Sequence, residues 1–286
     1  MDWKRFYIVL FVFAATSVAN AQANLLNAVK ADDIGKITEA QKSIEDDKPL
    51  PYGYISDRDV LWSKVVWEYI DINQKINLPY YYPIDTTSTS NRRRSLFDTL
   101  LRGINSGKIT EIYTDSYFTT KTTPEEIKKV VYNERQNGDY KDIYSIQSAD
   151  IKGYLLKGLW YFDKRQGELK YRLLAIAPMG PDVQTIGIDE IDDKDSVYEL
   201  FWVFYPDARD ELHKSKVFNS ENSAQPISYD NLLNARRFNS TIVREENLYG
   251  DRKIKDYIRR NSLFQLLEAD RIKEGIRDRE MDMWNY

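Results

Sequence analysis

The chain has no cysteine and a single histidine, His213, among its 286 residues. Without cysteine it can form no disulfide, so burial alone must stabilise the fold. Without a second histidine it cannot build a zinc site from several histidines, and a Ser-His-Asp or Cys-His triad would depend on His213. The charged stretch around this residue, from Asp207 to Lys216, predicts a solvated surface position.

Other patterns of known function classes are also missing. Gly103 and Gly107 do not belong to a Gly-Lys-Ser/Thr phosphate-binding loop. The net charge of −4 is mild and is spread over 30% charged residues, which argues against nucleic acid as a partner. After the N-terminus, no apolar run approaches the roughly 18 residues that a membrane-spanning helix needs.

The first 21 residues have the features of a secretory signal peptide. Lys4 and Arg5 precede the apolar run Phe6–Ala15, and Ala19-Asn20-Ala21 follows with small residues at the two positions that a signal peptidase reads. Ten residues rise only about 15 Å as a helix, half of a bilayer core of about 30 Å. Because Gln22 rather than cysteine comes next, we expect a soluble, exported mature protein without an N-terminal lipid anchor.

Residues 22–55 are weakly patterned and are expected to form an extended N-terminal arm. Leu25, Leu26 and Val29 could form one or two helical turns, and the stretch from Ser43 to Pro49 is typical of a loop. The arm could be a disordered tether, as chain termini often are, or it could lie on a neighbouring subunit.

Residues 56–262 are expected to form an α+β core domain. Ser56 and Asp59 resemble a capping box, and the apolar residues from Val60 to Ile72 have the i, i+4 spacing of a buried helical face, although Trp67 lies off that stripe. Shorter capped helices are predicted from Ser95, Thr123 and Ser228. The predicted short strands are Ile109–Tyr113 and Thr241–Val243.

A central antiparallel sheet is predicted from a long hairpin, residues 151–177, and a third strand, residues 197–205. Residues 164–168 contain Gly167 and supply the hairpin turn. In the first and third strands both alternating sets of residues are apolar, which indicates central strands covered on both faces by helices or by a partner. The 38 aromatic residues (21 Tyr, 11 Phe and 6 Trp) can supply the buried surface.

Residues 263–286 are predicted to form a charged C-terminal helix. Glu268 with Arg271, and Asp270 with Lys273, are spaced i, i+3, so the helix can support itself in solvent. Acidic residues are also dense between Asp189 and Asp195, and these could bind a hard cation such as calcium or could simply be solvated. The spacing is not that of an EF-hand, and no metal, cofactor or catalytic residue is assigned.

Two segments are candidates for contacts with partners. Tyr80, Tyr81 and Tyr82 lie between two prolines, and tyrosine is favoured at interfaces, although the three rings could equally pack on the chain's own helix. Arg92, Arg93 and Arg94 follow a Thr/Ser loop and could grip an anion or an acidic partner, or form a solvated turn.

Five segments, most of them rich in aromatic residues, follow one another in a fixed order: Asp59–Asp71, Asn77–Pro83, Leu159–Asp163, Ile176–Pro178 and Phe201–Pro206. This ordered set resembles the GldN/PorN family of gliding motility and type IX secretion. The resemblance covers about residues 57–264, and none of its segments is chemically specific.

The resemblance implies a non-enzymatic, periplasmic structural subunit attached to the inner face of the outer membrane. Such a subunit would form a large ring with copies of itself and with a GldK/PorK-like outer-membrane lipoprotein. The ring would couple to the GldL/GldM motor through a GldM/PorM-like periplasmic component, and membrane contact would be made only through partners. The family pattern carries no catalytic residues and no cofactor.

A second function class stays open on the residues alone. A secreted glycan-binding protein or a carboxylate-based glycoside hydrolase could use Trp160 or Trp202 as a stacking platform beside a pair of acids. Buried tryptophans would argue against this alternative, because a stacking platform must be open.

Overall fold

The computed structural model describes residues 48–84, 93–137, 140–186, 196–219 and 227–283. The predicted signal peptide, most of the predicted arm, Arg92 and the acidic stretch 189–195 lie outside these ranges. None of the described helices has the length and apolar character needed to cross a membrane. The strands are β1 Val60–Asp71, β2 Ile112–Tyr113, β3 Tyr132–Asn137, β4 Tyr140–Ser145, β5 Gly153–Asp163, β6 Glu168–Gly180, β7 Tyr198–Glu199, β8 Trp202–Phe204, β9 Lys216–Val217, β10 Ile227–Ser228 and β11 Thr241–Glu245. The helices are α1 Leu78–Tyr81, α2 Leu96–Asn105, α3 Pro124–Val131, α4 Tyr205–Lys214, α5 Tyr229–Asn234, α6 Ile254–Tyr257 and α7 Ser262–Met283.

Across the described ranges, one seven-stranded sheet organises the α+β fold, as predicted. Its order is β11-β1-β5-β6-β8-β2, with β7 added beside β6. Every pairing in this sheet is antiparallel. The sheet therefore places the middle of the chain at its centre and the C-terminal strand β11 at one edge.

The predicted helix over Val60–Ile72 is wrong, because most of this segment is strand β1. It pairs with β5 from Val60 to Asp71 and with β11 from Val66 to Tyr69. Val66, Trp67 and Glu68 are buried in succession, which a strand covered on both faces allows and a one-sided helix does not. Ser56 makes no side-chain cap and precedes a short 3₁₀ turn, Asp57–Asp59.

The long hairpin is confirmed as β5 and β6, paired from Gly153–Met179 to Asp163–Glu168. Gly167 takes a φ of +66° in the turn, a backbone conformation that suits glycine. The Asp163 carboxylate accepts the Arg165 N–H at 2.9 Å and closes the same turn. The sequence thus predicted both the pairing and the turn.

The third predicted strand is shorter than expected and ends in a helix. Residues 198–199 and 202–204 form β7 and β8, and helix α4 begins at Tyr205 with Pro206 in its first turn. Proline has no N–H to contribute to a ladder but fits the first turn of a helix, so Pro206 marks the change. The predicted strand Ile109–Tyr113 is likewise reduced to two residues, Ile112–Tyr113.

Three of the predicted helix starts are confirmed by their caps. The Ser95 hydroxyl accepts the Asp98 N–H, and the Ser228 hydroxyl accepts the Asn231 N–H. Thr123 forms a full capping box with Glu126. These caps satisfy orphan N–H groups of the first turn, which is why the sequence locates helix starts well.

Both faces of the sheet are apolar, as the two-sided strands predicted. Along β5, Tyr154 and Leu156 face the main core beneath α2, α4 and α5, while Leu155 joins a smaller cluster with Trp67 and Trp202. A third cluster lies where α7 packs beside β1 and β11. Trp67, which lay off the predicted helical stripe, is 1% exposed in this two-sided core.

Two features were not predicted correctly. His213 is 8% exposed rather than solvated, because α4 turns this residue inward. The hairpin of β3 and β4, paired from Tyr132–Ser145 to Asn137–Tyr140, was not predicted. Its strands are mostly polar, and the signal that could have found them is Asn137-Gly138 between two tyrosine-containing segments.

Candidate interaction surfaces

The predicted tyrosine segment divides between core and surface. Tyr80 is fully buried, with its ring centroid 6.1 Å from that of Tyr229. Tyr81 is half-buried and meets Tyr82 edge-on at 5.0 Å, while Tyr82 is 52% exposed. Burial also raises the pKa of Tyr80 far above its usual value. Tyr80 therefore packs inside the subunit, and Tyr82 is the ring most available to a partner.

The arginine segment lies beside the tyrosine segment. The Tyr229 hydroxyl donates to Arg94 O at 2.6 Å and lies 3.2 Å from Pro79 O, so one side chain joins the two backbones. Arg94 pairs with Asp98 at 3.0 Å, and Arg93 stands 5.3 Å from the ring centroid of Phe218. The fold thus brings the predicted segments together, and their role as an interface stays a prediction.

The end of the predicted arm is bound to the core by two arginines. The Tyr52 ring lies between Arg209 and Arg172, with guanidinium carbons 4.2 and 4.6 Å from its centroid. Arg209 also donates to Leu50 O at 2.6 Å, and Arg172 donates to Gly53 O at 3.1 Å. We call these two side chains the arginine clamp. It holds the backbone on both sides of Tyr52 and therefore sets where the arm leaves the core.

A buried acid organises the clamp. Asp230 is 2% exposed and accepts from Arg209 Nε at 2.9 Å and Nη2 at 3.1 Å. It also accepts from the Tyr205 hydroxyl at 2.7 Å and from Asn234 Nδ2 at 2.9 Å. The Tyr52 hydroxyl donates to Asn234 at 2.9 Å, and burial raises the pKa of Tyr52 to about 12. No sequence pattern indicated this network, because Tyr52, Tyr205 and Asp230 are far apart in the chain.

A lysine in an aromatic box fixes the loop that follows β2. Lys157 is 8% exposed, and its ammonium donates to Ser116 O at 2.7 Å. The same ammonium lies 5.0 to 5.2 Å from the ring centroids of Trp67, Tyr117 and Phe118. Burial lowers the pKa of Lys157, and the nearby positive charge of Arg244 lowers it further. The Lys157 ammonium is therefore occupied by one backbone carbonyl and three aromatic rings of its own subunit.

A cavity of about 450 Å³ lies between the sheet and α7. Glu68 is at its base, 1% exposed, and accepts from Arg236 at 2.8 and 3.1 Å and from Ser240 at 2.6 Å. Trp160 is half-buried there, 5.0 Å from the Arg236 guanidinium and 5.0 Å from the Tyr171 centroid. The Glu68 carboxylate is thus already bound by Arg236 and Ser240. A carboxylate held in this way is unsuited to act as a catalytic acid.

Trp202 cannot serve as a stacking platform, because it is fully buried. Its indole N–H donates to Glu199 at 3.0 Å inside the subunit. In the described part of the chain, no group of three or more His, Asp or Glu side chains could hold a metal ion. The predicted cation site at 189–195 lies outside that part.

A set of exposed apolar side chains lies between the turn after β11 and the first two turns of α7. We call this set the C-terminal ridge. Arg252 connects its parts, lying 5.1 Å from the Tyr249 ring and 5.7 Å from the Tyr257 ring. The Tyr257 hydroxyl then donates to Glu268, one helical turn after Phe264. The ridge comprises Leu248, 100% exposed, Tyr249, 72%, Tyr257, 38%, Leu263, 63%, Phe264, 56%, Leu266, 47%, and Leu267, 53%.

Comparison with known protein families identifies the family of this chain. A family model described as gliding motility associated protein GldN matches residues 55–285, which is most of the chain. The chain belongs to the GldN family. The description of this family is that of a gliding motility component and not of an enzyme family, and no curated protein matches the chain. In this GldN-family fold the matched region starts just after the residues held by the arginine clamp.

Proposed function

We propose that this GldN-family protein is a non-enzymatic structural subunit of a periplasmic ring that supports type IX secretion and gliding motility. The ring consists of copies of this chain and a GldK/PorK-like outer-membrane lipoprotein. A GldM/PorM-like periplasmic component connects it to the inner-membrane motor.

Family membership is the observation that carries the proposal. The predicted signal peptide supports a periplasmic location, and attachment to the outer membrane through a lipoprotein follows from the family resemblance. The described surface adds a physical reason, because seven of its exposed large apolar side chains lie within residues 248–267. Exposed apolar patches of this kind mark sites of contact with other macromolecules.

A closed ring of identical subunits needs two different surfaces that meet head to tail. The chain offers several candidates: the segment containing Tyr82, the arm beyond the arginine clamp, and the C-terminal ridge. These surfaces are separated in sequence, and the sheet between them is held rigid by two-sided packing. A rigid body with several separate contact surfaces suits an assembly subunit.

The glycan-binding and glycoside hydrolase alternative is weakened by particular side chains. Trp202 is buried, Trp160 is packed against Tyr171 and Arg236, and Glu68 is bound by Arg236 and Ser240. The aromatic platforms and the carboxylate nearest to them are therefore used by the fold itself.

The proposal is tested in a gliding bacterium whose own gene for this family member is deleted. A tagged copy of this chain is expressed, and complexes are purified from the detergent-solubilised membrane fraction. We expect recovery of an outer-membrane lipoprotein in large assemblies, together with restored colony spreading and protein secretion. Recovery of the chain alone, with secretion unaffected by the deletion, would contradict the proposal.

A further inference from the structure

Helix α7 has two apolar stripes on opposite sides. Its buried stripe is Ala269, Ile272 and Ile276, each no more than 5% exposed, and this stripe packs beside β1 and β11. At about 100° per residue, the exposed stripe at its N-terminal end is centred about 170° away from the buried one. The exposed stripe comprises Leu263, Phe264 and Leu267, whereas Leu266 lines a cavity with Leu155 and Met179 of the sheet. Packing on the subunit's own sheet therefore cannot account for it.

The segment that leads into the exposed stripe is basic although the chain as a whole is acidic. Residues 248–267 contain five basic and two acidic side chains, a net charge of +3, against −4 for the whole chain. Arg252, Lys255, Arg259 and Arg260 are exposed, and within the described ranges no salt bridge to any of them is formed. The C-terminal ridge is thus an apolar surface with a positive rim.

The predicted arm has the opposite charge and its own apolar residues. Residues 22–47 contain six acidic and three basic side chains, a net charge of −3. The acidic residues form three groups, which are Asp32-Asp33, Glu39 and Glu45-Asp46-Asp47. The apolar side chains larger than alanine are Leu25, Leu26, Val29, Ile34, Ile37 and Ile44. This composition matches a basic, apolar acceptor better than it matches solvent or an anionic membrane.

We propose that residues 22–47 of one copy bind the C-terminal ridge of the next copy in the ring. The inference rests on the proposed function, and it names the donor and the acceptor of one head-to-tail contact. Apolar side chains of the arm cover Leu263, Phe264 and Leu267, and arm carboxylates face the positive rim.

The arginine clamp gives this contact a fixed origin. Because Tyr52 is held between Arg172 and Arg209, the arm starts from one defined point on the core. Twenty-six residues can span at most about 90 Å, which exceeds the diameter of a domain of this size. The arm can therefore reach an adjacent copy while Tyr52 stays in its own subunit.

The test uses the full mature chain, starting at Gln22, in two complementary variants. The ridge variant carries Phe264→Ser and Leu267→Ser, both at positions more than half exposed. The arm variant carries serine at four arm positions: Leu25, Leu26, Ile34 and Ile37. A control variant with Leu61→Ser and Ile143→Ser removes equally exposed apolar groups elsewhere, at 50% and 61% exposure.

Sedimentation velocity measures self-association of each chain and of a mixture of the two variants. We expect the unaltered and control chains to associate, and each variant alone to associate at least about tenfold more weakly. An equimolar mixture should form heterodimers and nothing larger. Each pair contains only one intact arm and one intact ridge, and the contact between the two chains uses both. Raising the salt concentration should weaken association by screening the charges.

Several results would overturn the inference. If the mixture stays monomeric while the unaltered chain assembles, another surface joins the copies, and the proposed function stands without this contact. The proposed contact is also excluded if the unaltered chain stays monomeric at every concentration. It is excluded as well if the arm binds the ridge of its own chain. Ridge-dependent binding to phosphatidylglycerol vesicles, without arm-dependent association, would instead assign the ridge to a membrane. Recovery of the lipoprotein tests the proposed function separately in each case.

Discussion

The buried ion pair between Asp230 and Arg209 allows a quantitative prediction about the stability of the core. Asp230→Ala removes a carboxylate that is 2% exposed and accepts four hydrogen bonds. It leaves the Arg209 guanidinium, whose side chain is 10% exposed, without its counter-ion. It also removes one acceptor of the Asn234 side-chain amide, and it leaves the Tyr205 hydroxyl with only the backbone carbonyl of residue 230, at 3.4 Å.

Removing one partner of a buried ion pair costs about 3–5 kcal/mol, because the other charge stays desolvated and uncompensated. For a domain of this size, that loss lowers the Tm by about 6–20 °C. Replacing both partners, as Arg209→Met with Asp230→Leu, should cost less than Asp230→Ala alone, since no unpaired charge is then buried.

Urea unfolding followed by circular dichroism, together with calorimetry, measures these differences. Asp210→Ala is the matched control, because Asp210 is exposed on the same helix as Arg209, and its cost should stay within about 0.5 kcal/mol. If Asp230→Ala costs no more than the control, or if the double variant is less stable than Asp230→Ala, the reasoning about a buried, uncompensated charge is refuted.

Three further predictions concern other parts of the fold. Tyr52→Ala should release the clamped segment and speed proteinase K cleavage within residues 50–55 by at least about tenfold. Tyr54→Ala, at an 88% exposed position, should leave the cleavage rate unchanged. Equal cleavage rates in the two variants would exclude the clamp. Gly158→Ala places a Cβ against the Tyr171 hydroxyl and ring, so the free energy of unfolding should fall by about 1–3 kcal/mol; an unchanged urea midpoint would contradict this. Burial, and after it the charge of Asp230, raises the pKa of Tyr205 in the folded protein, so the contribution of this group to stability is complete below pH 10 and is lost at higher pH as the unfolded tyrosine ionises. Tyr205→Phe should therefore reduce the fall in the free energy of unfolding above pH 10 by up to about 1.4 kcal/mol per pH unit. An identical dependence of the free energy of unfolding on pH in both proteins would exclude this role of Tyr205.

Local chemistry explains the elements that the sequence predicted well. Ser95, Thr123 and Ser228 begin helices because a side-chain oxygen satisfies an N–H of the first turn, and this requires only neighbouring residues. The hairpin turn depends in the same way on the positive φ of Gly167 and on Asp163, the last residue of β5, whose carboxylate accepts the Arg165 N–H. Such signals are independent of the rest of the molecule.

The wrong prediction for β1 has a different cause. Its apolar residues fit a helical stripe and a strand covered on both faces about equally, and short apolar runs do not distinguish the two. Pairing with β5 and β11, whose partner residues are about 80–100 and 170–180 positions further along the chain, decides the matter. His213 was misjudged for a similar reason, since its charged neighbours belong to the outer side of α4.

The candidate surfaces could likewise be predicted from the sequence only in part. The tyrosine and arginine segments could be recognised from composition, but only the fold shows that Tyr229 joins them and that Tyr80 faces inward. The two arginines of the clamp contact Tyr52, and Asn234 accepts a hydrogen bond from the Tyr52 hydroxyl. No local sequence pattern connects these residues. The C-terminal ridge is visible only once the buried stripe of α7 has been identified, because an exposed stripe is defined by what the other side contacts.

By itself, the sequence determined the absence of disulfides, the predicted export signal, the caps, the hairpin and the resemblance to the GldN family, because each of these depends on residue identity or on neighbours along the chain. The tertiary structure alone decided which face of each element is buried, that Val60–Asp71 is a strand, and which charges and aromatic rings meet at Tyr52. Those outcomes depend on contacts between residues that are distant in the chain, and the free energy of such contacts is set by burial and geometry rather than by local propensity.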